Sequence, residues 1–286
     1  MDPGFRRDDT GTVVPFASTA VPIAPSAAAF MKIHVVNPNT TASMTEKIAA
    51  AARAIAGPGT DIVARQPAMG PVSIEGYYDE AFAIPGMLAV IREEEANGAE
   101  AHIIACFDDT GLDAARSIAR SPVIGIGEAA YHAASLIAGK FTVITTLPRS
   151  IPPIEHNLVR YGLISRCARI RAGGFEVLAL EDPGSGAIEK VAAEIELAKR
   201  EDRAEAIVLG CAGMADLAAR LSEAHGIPVV DGVAAAVTFA EALVRLGLKT
   251  SKLGGYAAPL PKIYAGSFAG FAPESHAEAT PPGVWK

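Results

Sequence analysis

The 286-residue sequence lacks the features of several protein classes. Lys and Arg total 25 against 32 Asp and Glu, so the net charge of −7 provides no basic surface for nucleic acid. No apolar run reaches the roughly 18 residues that a membrane-spanning helix needs. The three cysteines form no CxxC pair, and no histidines stand at zinc-ligand spacing, which argues against a disulfide framework and a metal site. We therefore expect a cytoplasmic protein with free thiols that binds neither nucleic acid nor membrane.

The two ends of the chain differ in composition from the middle. The run RRDD at 6–9 precedes a stretch rich in Ala, Ser and Thr that contains three prolines. Acidic residues beside the arginines, and prolines where an apolar segment would lie, argue against an export signal. We predict a disordered N-terminal extension over 1–30 and a flexible C-terminal tail over 266–286.

Between these ends, Val- and Ile-rich runs alternate with alanine-rich stretches at helical period. This alternation is typical of an α/β fold with parallel strands, and continuous apolar strands indicate a sheet covered on both faces. The predicted strands are 33–36, 61–64, 102–105, 123–126, 142–145, 176–180, 206–209 and 228–230. The predicted helices are 42–56, 86–97, 112–120, 127–138, 188–200, 214–225 and 233–246.

The chain contains the same unit twice. The run AHIIAC, ending at Cys106, precedes LDAAR and then PVIG; the run AIVLGC, ending at Cys211, precedes LAAR and then PVVD. This duplication predicts two pseudo-symmetric, Rossmann-like lobes, each a parallel sheet flanked by helices, with the active site in the cleft between them. We expect the first lobe to comprise 31–127 plus 235–265 and the second to comprise 128–234.

Both cysteines follow predicted strands, at the carboxyl ends where open parallel sheets bind ligands. A helix that begins just after each cysteine would favour the thiolate through its dipole. With one thiol on each face of a planar carbanion, one thiolate can remove a Cα proton and the other thiol can return a proton from the opposite side. We therefore predict that Cys106 and Cys211 are the catalytic residues of a cofactor-independent, two-base reaction. Cys167 has no counterpart in the repeat and is interpreted as a packing residue.

Polar groups around the two cysteines are candidates for substrate binding. Backbone N–H groups after each cysteine, with nearby hydroxyls and amides, can hold an enolate oxygen or a ring carbonyl. Asp108 and Asp109 either tune the first thiol or cap a helix. The loop at 69–79 forms a cleft wall or lid, or merely connects two elements. The predicted substrate-binding residues are Asn37, Asn39, Ser73, Phe107, Asp108, Thr110, Thr145, Thr146, Ala212, Gly213 and Met214.

One further motif resembles a binding site for a dinucleotide. The run GIGEAA at 125–130 fits the loose pattern G-x-G-x-x-A of dinucleotide sites. Thr145 and Thr146 stand where an acidic residue would end the next strand. We therefore expect no dinucleotide, and no cofactor of any kind.

Five motifs in order resemble the aspartate/glutamate racemase superfamily, within it the hydantoin racemase and allantoin racemase branch. They are VNPNT at 36–40, GPVSIE at 70–75, ACFDD at 105–109, VITT at 143–146 and LGCAGM at 209–214. The resemblance covers about 31–265. It implies a cofactor-independent racemase with two α/β lobes, Cys106 and Cys211 as acid/base residues, and a homo-oligomer.

The residues after each cysteine depart from the amino-acid racemases of that superfamily. Those enzymes commonly have Asn-Thr after the first cysteine and Thr with His or Glu after the second, whereas Phe107 and Ala212 follow here. The predicted substrate is therefore a 5-substituted hydantoin, allantoin among them. The alternatives are an amino-acid racemase of the Asp/Glu type, a maleate-isomerase-like enzyme, a decarboxylase, or a two-lobed binding protein without catalysis.

Overall fold

The computed structural model of the protein describes residues 5–7, 13–15 and 30–273. Strands β1 (Phe5–Arg7) and β2 (Val13–Pro15) pair antiparallel. The rest of the predicted N-terminal extension lies outside the described residues, as do residues 274–286 of the predicted tail.

Eight strands form two four-stranded parallel sheets. The first contains β3 (Met31–Val36), β4 (Thr60–Arg65), β5 (Ala101–Ile104) and β6 (Val123–Gly125), in the spatial order β4-β3-β5-β6. The second contains β7 (Phe141–Thr145), β8 (Cys167–Ala172), β9 (Ala206–Leu209) and β10 (Val229–Val230), in the order β8-β7-β9-β10. Both sheets have the same spatial order: numbered by their position along the chain, the strands lie in the order second, first, third, fourth. The prediction of two pseudo-symmetric α/β lobes is confirmed.

Two α-helices, α4 (Ile126–Ile137) and α8 (Gly232–Arg245), connect the lobes. The other α-helices of the described residues are α1 (Ala42–Ile55), α2 (Tyr77–Ala96), α3 (Leu112–Ile118), α5 (Ile151–Arg160), α6 (Ala187–Leu197) and α7 (Ala218–His225). α4 follows the first sheet and packs on β9 of the second, whereas α8 follows the second sheet and packs on β3, β5 and β6 of the first. Each helix therefore covers the sheet of the other half of the chain.

A close contact and a hydrogen-bonded carboxylate fix α8 in this position. At its start, Gly232 lies so near α4 that a Cβ would come within 2.5 Å of the Ile126 carbonyl oxygen. Near its end, Glu241 Oε1 accepts hydrogen bonds from the Gly57 N–H at 2.8 Å and the Thr60 hydroxyl at 2.5 Å. The lobe boundaries at 127/128 and 234/235 stay a prediction.

One hydrophobic core runs through both lobes. It includes Ile33 of β3, Val143 of β7, Tyr131 of α4 and Val237 of α8, all fully buried. Burying such a side chain contributes about 1.5–3 kcal/mol. Because this core is continuous, it holds the carboxyl ends of the two sheets in a fixed relation.

The predicted strand at 176–180 is wrong. Val177–Glu181 is a 3-10 helix, and the edge strand of the second sheet is instead β8, ten residues earlier in the chain. β8 carries Arg169 and Arg171, and Arg171 is paired with Asp202, so the strand has no apolar run to reveal it. An edge strand pairs with a neighbouring strand on one side only, and it tolerates such charged side chains.

Two helices also differ from expectation. The sequence does not predict α5, because Pro152 and Pro153 directly follow its first residue, Ile151. Proline is compatible with the first turn, where its missing N–H has no helical partner. α2 begins at Tyr77 instead of residue 86 and continues through Pro85.

Candidate active site

The two cysteines occupy equivalent positions in the two sheets. The Ala105 N–H donates to the Val36 carbonyl at 2.8 Å, and the Gly210 N–H donates to the Ile144 carbonyl at 2.8 Å. Val36 pairs with Ile104 as Ile144 pairs with Leu209. Each cysteine is the next residue in the chain, so the same register places both at the carboxyl end of the third strand.

The backbone turns after the two cysteines also match. The Asp109 N–H donates to the Cys106 carbonyl at 3.0 Å, and the Met214 N–H donates to the Cys211 carbonyl at 3.1 Å. In each turn, the residue two after the cysteine, Asp108 or Gly213, donates its backbone N–H to the sulfur. The N–H groups of Asp109 and Met214, which we expected to be available for an enolate oxygen, are therefore engaged in these turns.

Both cysteines line one cavity between the carboxyl ends of the sheets. Its volume is about 420 Å³ when the open, solvent-filled mouth is included. Both lobes contribute to its wall, so a bound molecule would contact each half of the chain. The lining residues are Asn37, Pro38, Asn39, Met44, Ile74, Ala105, Cys106, Phe107, Asp108, Thr145, Thr146, Ser150, Val177, Gly210, Cys211 and Ala212.

The expectation that helix dipoles favour the thiolates is not met. Burial raises the pKa of Cys211 to about 11, and burial together with Asp108 raises the pKa of Cys106 well above its usual value. α3 begins only at Leu112, and Cys211 precedes a single 3-10 turn, so neither sulfur lies at the start of an α-helix. In the ligand-free site both sulfurs are therefore protonated at neutral pH.

The charges around the two thiols differ even though their geometry matches. Asp108 raises the pKa of both thiols. Glu80 raises the pKa of Cys106 further, whereas at Cys211 Lys47 lowers the pKa and Glu75 raises it. The Thr110 hydroxyl donates a hydrogen bond to Cys106 Sγ at 3.2 Å. We infer that Cys211 ionises more readily than Cys106.

Asp109 has a structural role, as the helix-capping alternative predicted. Its Oδ1 accepts from the Gly127 N–H at 2.9 Å, and its Oδ2 accepts from the Glu128 N–H at 2.8 Å and the Tyr161 hydroxyl at 2.7 Å. A Cβ at Gly125 or Gly127 would overlap this carboxyl group. The glycines of the G-x-G run thus make room for Asp109 at the start of α4, which explains the motif without a dinucleotide.

Asn37 and Asn39 shape the turn after β3. Asn37 Nδ2 donates to Asn39 Oδ1 at 2.8 Å and to Thr45 Oγ1 at 3.0 Å, while Asn39 Oδ1 also accepts from the Thr41 N–H at 2.9 Å. Both side chains reach the cavity wall but are largely engaged within the turn. Their main contribution is therefore to fix the shape of this wall.

Thr145 ends β7 and Thr146 follows it, at the place in the second sheet that corresponds to the turn after β3. Thr145 Oγ1 donates to the Gly210 carbonyl at 3.2 Å, which connects this turn with the one before Cys211. The Thr146 hydroxyl has no protein partner among residues 30–273, and neither has that of Ser150 on the same wall. These two hydroxyls are the freer candidates for contacts with substrate.

Four predicted residues, Ser73, Thr110, Gly213 and Met214, are not among the residues that line the cavity. Thr110 is buried against Cys106 Sγ, and a Cβ at Gly213 would lie 3.7 Å from Cys211 Sγ. Met214 is fully buried in a core cluster of the second lobe, while Ser73 lies in the 69–76 loop and bonds Glu75 at 3.5 Å. Met44, Ile74, Ser150 and Val177 line the cavity but were not predicted, because apolar and isolated hydroxyl residues have no chemical signature in a sequence.

The 69–76 loop and the start of α2 close over the cleft. Glu75 Oε1 accepts a hydrogen bond from the Val177 N–H of the second lobe at 2.9 Å. Tyr77 bonds His156 Nδ1 at 3.0 Å, with the two rings stacked. These contacts join the two lobes, and Ile74 of the loop lines the cavity, so the loop forms part of the cleft wall.

Known proteins resemble this chain along most of its length. A family model described as Asp/Glu/Hydantoin racemase matches residues 33–240. The chain belongs to this racemase family. A hydantoin racemase from Rhizobium meliloti is 52% identical over 236 residues, which cover 82% of this chain and 98% of the relative. A hydantoin racemase from Pseudomonas sp. (strain NS671) is 48% identical over 242 residues, covering 84% of this chain and 97% of the relative.

A solved structure agrees with these relatives. The allantoin racemase from Klebsiella pneumoniae superimposes with a TM-score of 0.83 at 49% identity, covering 85% of this chain and all of that one. The protein is accordingly a racemase, an enzyme of the isomerase class. Within the described part of the chain, no group of three or more His, Cys, Asp or Glu side chains is arranged to hold a metal ion, and no helix is long and apolar enough to cross a membrane.

Proposed function

We propose that this racemase acts on 5-substituted hydantoins, with allantoin in the same substrate class, and that Cys106 and Cys211 exchange the Cα proton. The observation that carries the proposal is the matched position of the two cysteines on the wall of one cavity, each at the end of the third strand of its sheet. Racemisation treats two mirror-image molecules as substrate and product, and a duplicated fold supplies one base for each.

The proton transfers balance without a cofactor. One cysteine, as the thiolate, takes the proton from Cα and becomes a thiol. The electron pair left on Cα is delocalised onto the neighbouring ring carbonyl oxygen. The other cysteine gives its proton to the opposite face of Cα and becomes the thiolate. The product is the other enantiomer, and the enzyme is left ready for the reverse reaction.

The cavity lining favours a neutral ring over a free amino acid. Among the described residues, those lining the cavity include no Lys or Arg, whereas Pro38, Met44, Ile74 and Val177 supply apolar surface. A dicarboxylate such as aspartate or maleate would lose its hydration there without an adjacent cation. A hydantoin brings two carbonyl groups and two N–H groups, which hydroxyls and backbone groups can match.

The test is incubation in D₂O with single enantiomers of allantoin, of alkyl and aryl hydantoins and of aspartate, following optical rotation and deuterium uptake at Cα. We expect a hydantoin or allantoin to lose optical rotation while gaining one deuterium, and aspartate to stay unchanged. Cys106→Ser and Cys211→Ser should each lower racemisation by about 10²–10⁴-fold, the typical contribution of a general acid or base. Full racemisation by either variant would refute the two-cysteine mechanism.

Cys167→Ser is the matched control. Cys167 stands at the start of β8, outside the cavity lining, and its sulfur contacts the Arg169 carbonyl at 3.3 Å. Its replacement should leave racemisation at the parental rate. Loss of activity in all three variants would indicate a general effect of removing a thiol.

We also propose that the enzyme is a cytoplasmic homo-oligomer. The three cysteines are free, which suits a reducing compartment. Residues 257–270 run along the surface with Leu260, Ile263 and Phe268 exposed, and a second copy would cover such apolar side chains. Sedimentation of the full chain and of Ile263→Asp should give an assembly for the first and smaller species for the second.

A further inference from the structure

A carboxyl group that the thiol chemistry does not use lines the same cavity as the two cysteines. Asp108 lines the cavity and raises the pKa of both Cys106 and Cys211, so its carboxyl group is close enough for its charge to act on both thiols. Its backbone is fixed, because its N–H donates to Cys106 and its carbonyl accepts from Asn157 Nδ2 at 2.8 Å. Within residues 30–273 its side chain has no hydrogen-bond partner. The carboxyl group is therefore held in the cleft and available to a ligand.

The groups around Asp108 favour its neutral form. From α2, Glu80 raises its pKa by charge repulsion, and Asp109 does so from the same loop. Tyr77 and Tyr131 also face it, as does each thiol. Burial is the largest cause, and together these effects raise the pKa of Asp108 to about 8. At neutral pH most molecules therefore carry a proton on this carboxyl group.

We propose that Asp108 is a third catalytic residue of the racemase, whose neutral carboxyl group donates a hydrogen bond to the substrate's carbonyl oxygen next to Cα. The proposal deepens the proposed function and rests on it. A carbonyl oxygen gains negative charge when Cα loses its proton, so a donor fixed in a buried cleft stabilises the enolate more than the ground state. An ionised carboxylate at the same place would repel the enolate.

The proton on Asp108 is not transferred in this scheme. The Cα proton passes to one cysteine, and the other cysteine supplies the new one. The O–H of Asp108 stays bonded to its own oxygen throughout, while its hydrogen bond to the substrate strengthens and then relaxes. The step therefore needs no additional acid, base or cofactor.

Glu80 acts as a positioning residue for this proton. It stands in the first turn of α2, and its Oε1 is buried without a hydrogen-bond partner among the described residues. Burial raises the pKa of Glu80, and its negative charge acts on both Asp108 and Cys106. A buried carboxyl group without a hydrogen-bond partner destabilises the folded protein. Here the group has a function, because its charge keeps Asp108 protonated.

The kinetic test compares Asp108→Ala, Asp108→Asn and the exposed control Asp61→Asn across pH 6–9.5, with a hydantoin that the parent racemises. We expect Asp108→Ala to lose about 10²–10³-fold in kcat with little change in KM, as for removal of one oxyanion donor. Asp108→Asn keeps an N–H donor and should stay within about tenfold of the parent. Because the thiolate fraction increases up to about pH 11, the kcat/KM of the parent should rise with pH and level off above pH 8 as Asp108 ionises, whereas that of Asp108→Asn should keep rising and that of Asp61→Asn should follow the parent.

Glu80→Gln tests the positioning role. Removing its charge lowers the pKa of Asp108, so the pH at which activity levels off should move to lower values while kcat on the plateau stays near that of the parent. An unmoved profile would remove Glu80 from the proposal. Parental activity in Asp108→Ala, or a kcat/KM of the parent that rises as steeply above pH 8 as below it, would overturn the role of Asp108 as donor.

A second measurement separates this proposal from the proposed function. Carbon-13 NMR of aspartate carboxyl groups, assigned with Asp108→Asn, should show one group that titrates near pH 8 and shifts when 5-benzylidene hydantoin, a planar ring analogue, binds. If the parent turns over no hydantoin, the proposed function fails, while the titration and the ligand shift still decide whether Asp108 is a neutral donor in the cleft. A group that titrates near pH 4, or does not respond to the analogue, overturns the proposal.

Discussion

The reactivity of the two active-site thiols tests the electrostatics of the cleft directly. A pKa of about 11 for Cys211 leaves about one thiolate in a thousand at pH 8, whereas an unperturbed thiol is about one quarter ionised there. The rarer thiolate is also the stronger nucleophile, by about tenfold for a difference of 2.5 pKa units. The net expectation is that Cys211 reacts about twentyfold more slowly than an unfolded cysteine, and Cys106 more slowly still because burial, Asp108 and Glu80 together raise its pKa well above the usual value.

The assay follows a small pyridyl disulfide reacting with the Cys167→Ser protein, with mass spectrometry to assign each labelled site and the urea-unfolded protein as reference. The rate at Cys211 should rise about tenfold per pH unit between pH 7 and 9.5, whereas the unfolded reference levels off near pH 8.5. Faster labelling of Cys211 than of the unfolded chain at pH 7 would refute the reasoning, since it would show a stabilised thiolate in the empty site. Faster labelling of Cys106 than of Cys211 would refute the asymmetry.

Three other perturbations have defined outcomes. Gly127→Ala puts a methyl group onto a backbone carbonyl of the Cys106 loop and should cost about 3 kcal/mol in urea unfolding together with most activity, while Gly255→Ala, in open space, should cost neither. Burial lowers the pKa of His34 to about 3 in the folded protein, so as the pH falls this histidine is protonated in the unfolded chain before it is protonated in the folded one. The free energy of unfolding should therefore fall by about 2 kcal/mol between pH 7 and 5, and His34→Leu should not show this decrease. Glu75→Ala removes the acceptor that joins the lobes at the cleft mouth and should raise KM several-fold with kcat near parental, whereas Glu75→Gln keeps an oxygen acceptor and should resemble the parent.

The sequence predicted most of the fold because its parallel strands are buried on both faces. Such strands are continuous apolar runs, and seven of the eight predicted ones fall on observed strands. The exception concerns β8, where Arg171 lies among the acidic groups Glu194, Glu201 and Asp202. These acids come from residues 23–31 positions later in the chain, so only the tertiary structure shows that the charges in this strand are neutralised.

The site was predictable in its positions but not in its charges. A repeat places Cys106 and Cys211 in corresponding places, and the ends of parallel strands place both at the cleft. The pKa of each thiol depends on groups from other elements: Glu80 on α2 and Lys47 on α1 lie far from either cysteine in the sequence. The expectation of stabilised thiolates used only the local helix dipole, and burial outweighs that effect.

The unequal charges around the two thiols have a thermodynamic limit. Two enantiomers have equal free energy in water, so the equilibrium constant of racemisation is one and kcat/KM must be the same in both directions. If the different surroundings of Cys106 and Cys211 make kcat differ between the two directions, KM must therefore differ by the same factor. If Cys211 is the thiolate more often, the enantiomer whose Cα–H faces it finds the competent enzyme more often and should show the lower KM and the lower kcat. Initial rates measured from each pure enantiomer should give different kcat values and the same kcat/KM. Equal kcat values in the two directions would show that the charge difference around the thiols has no effect on the rate of racemisation.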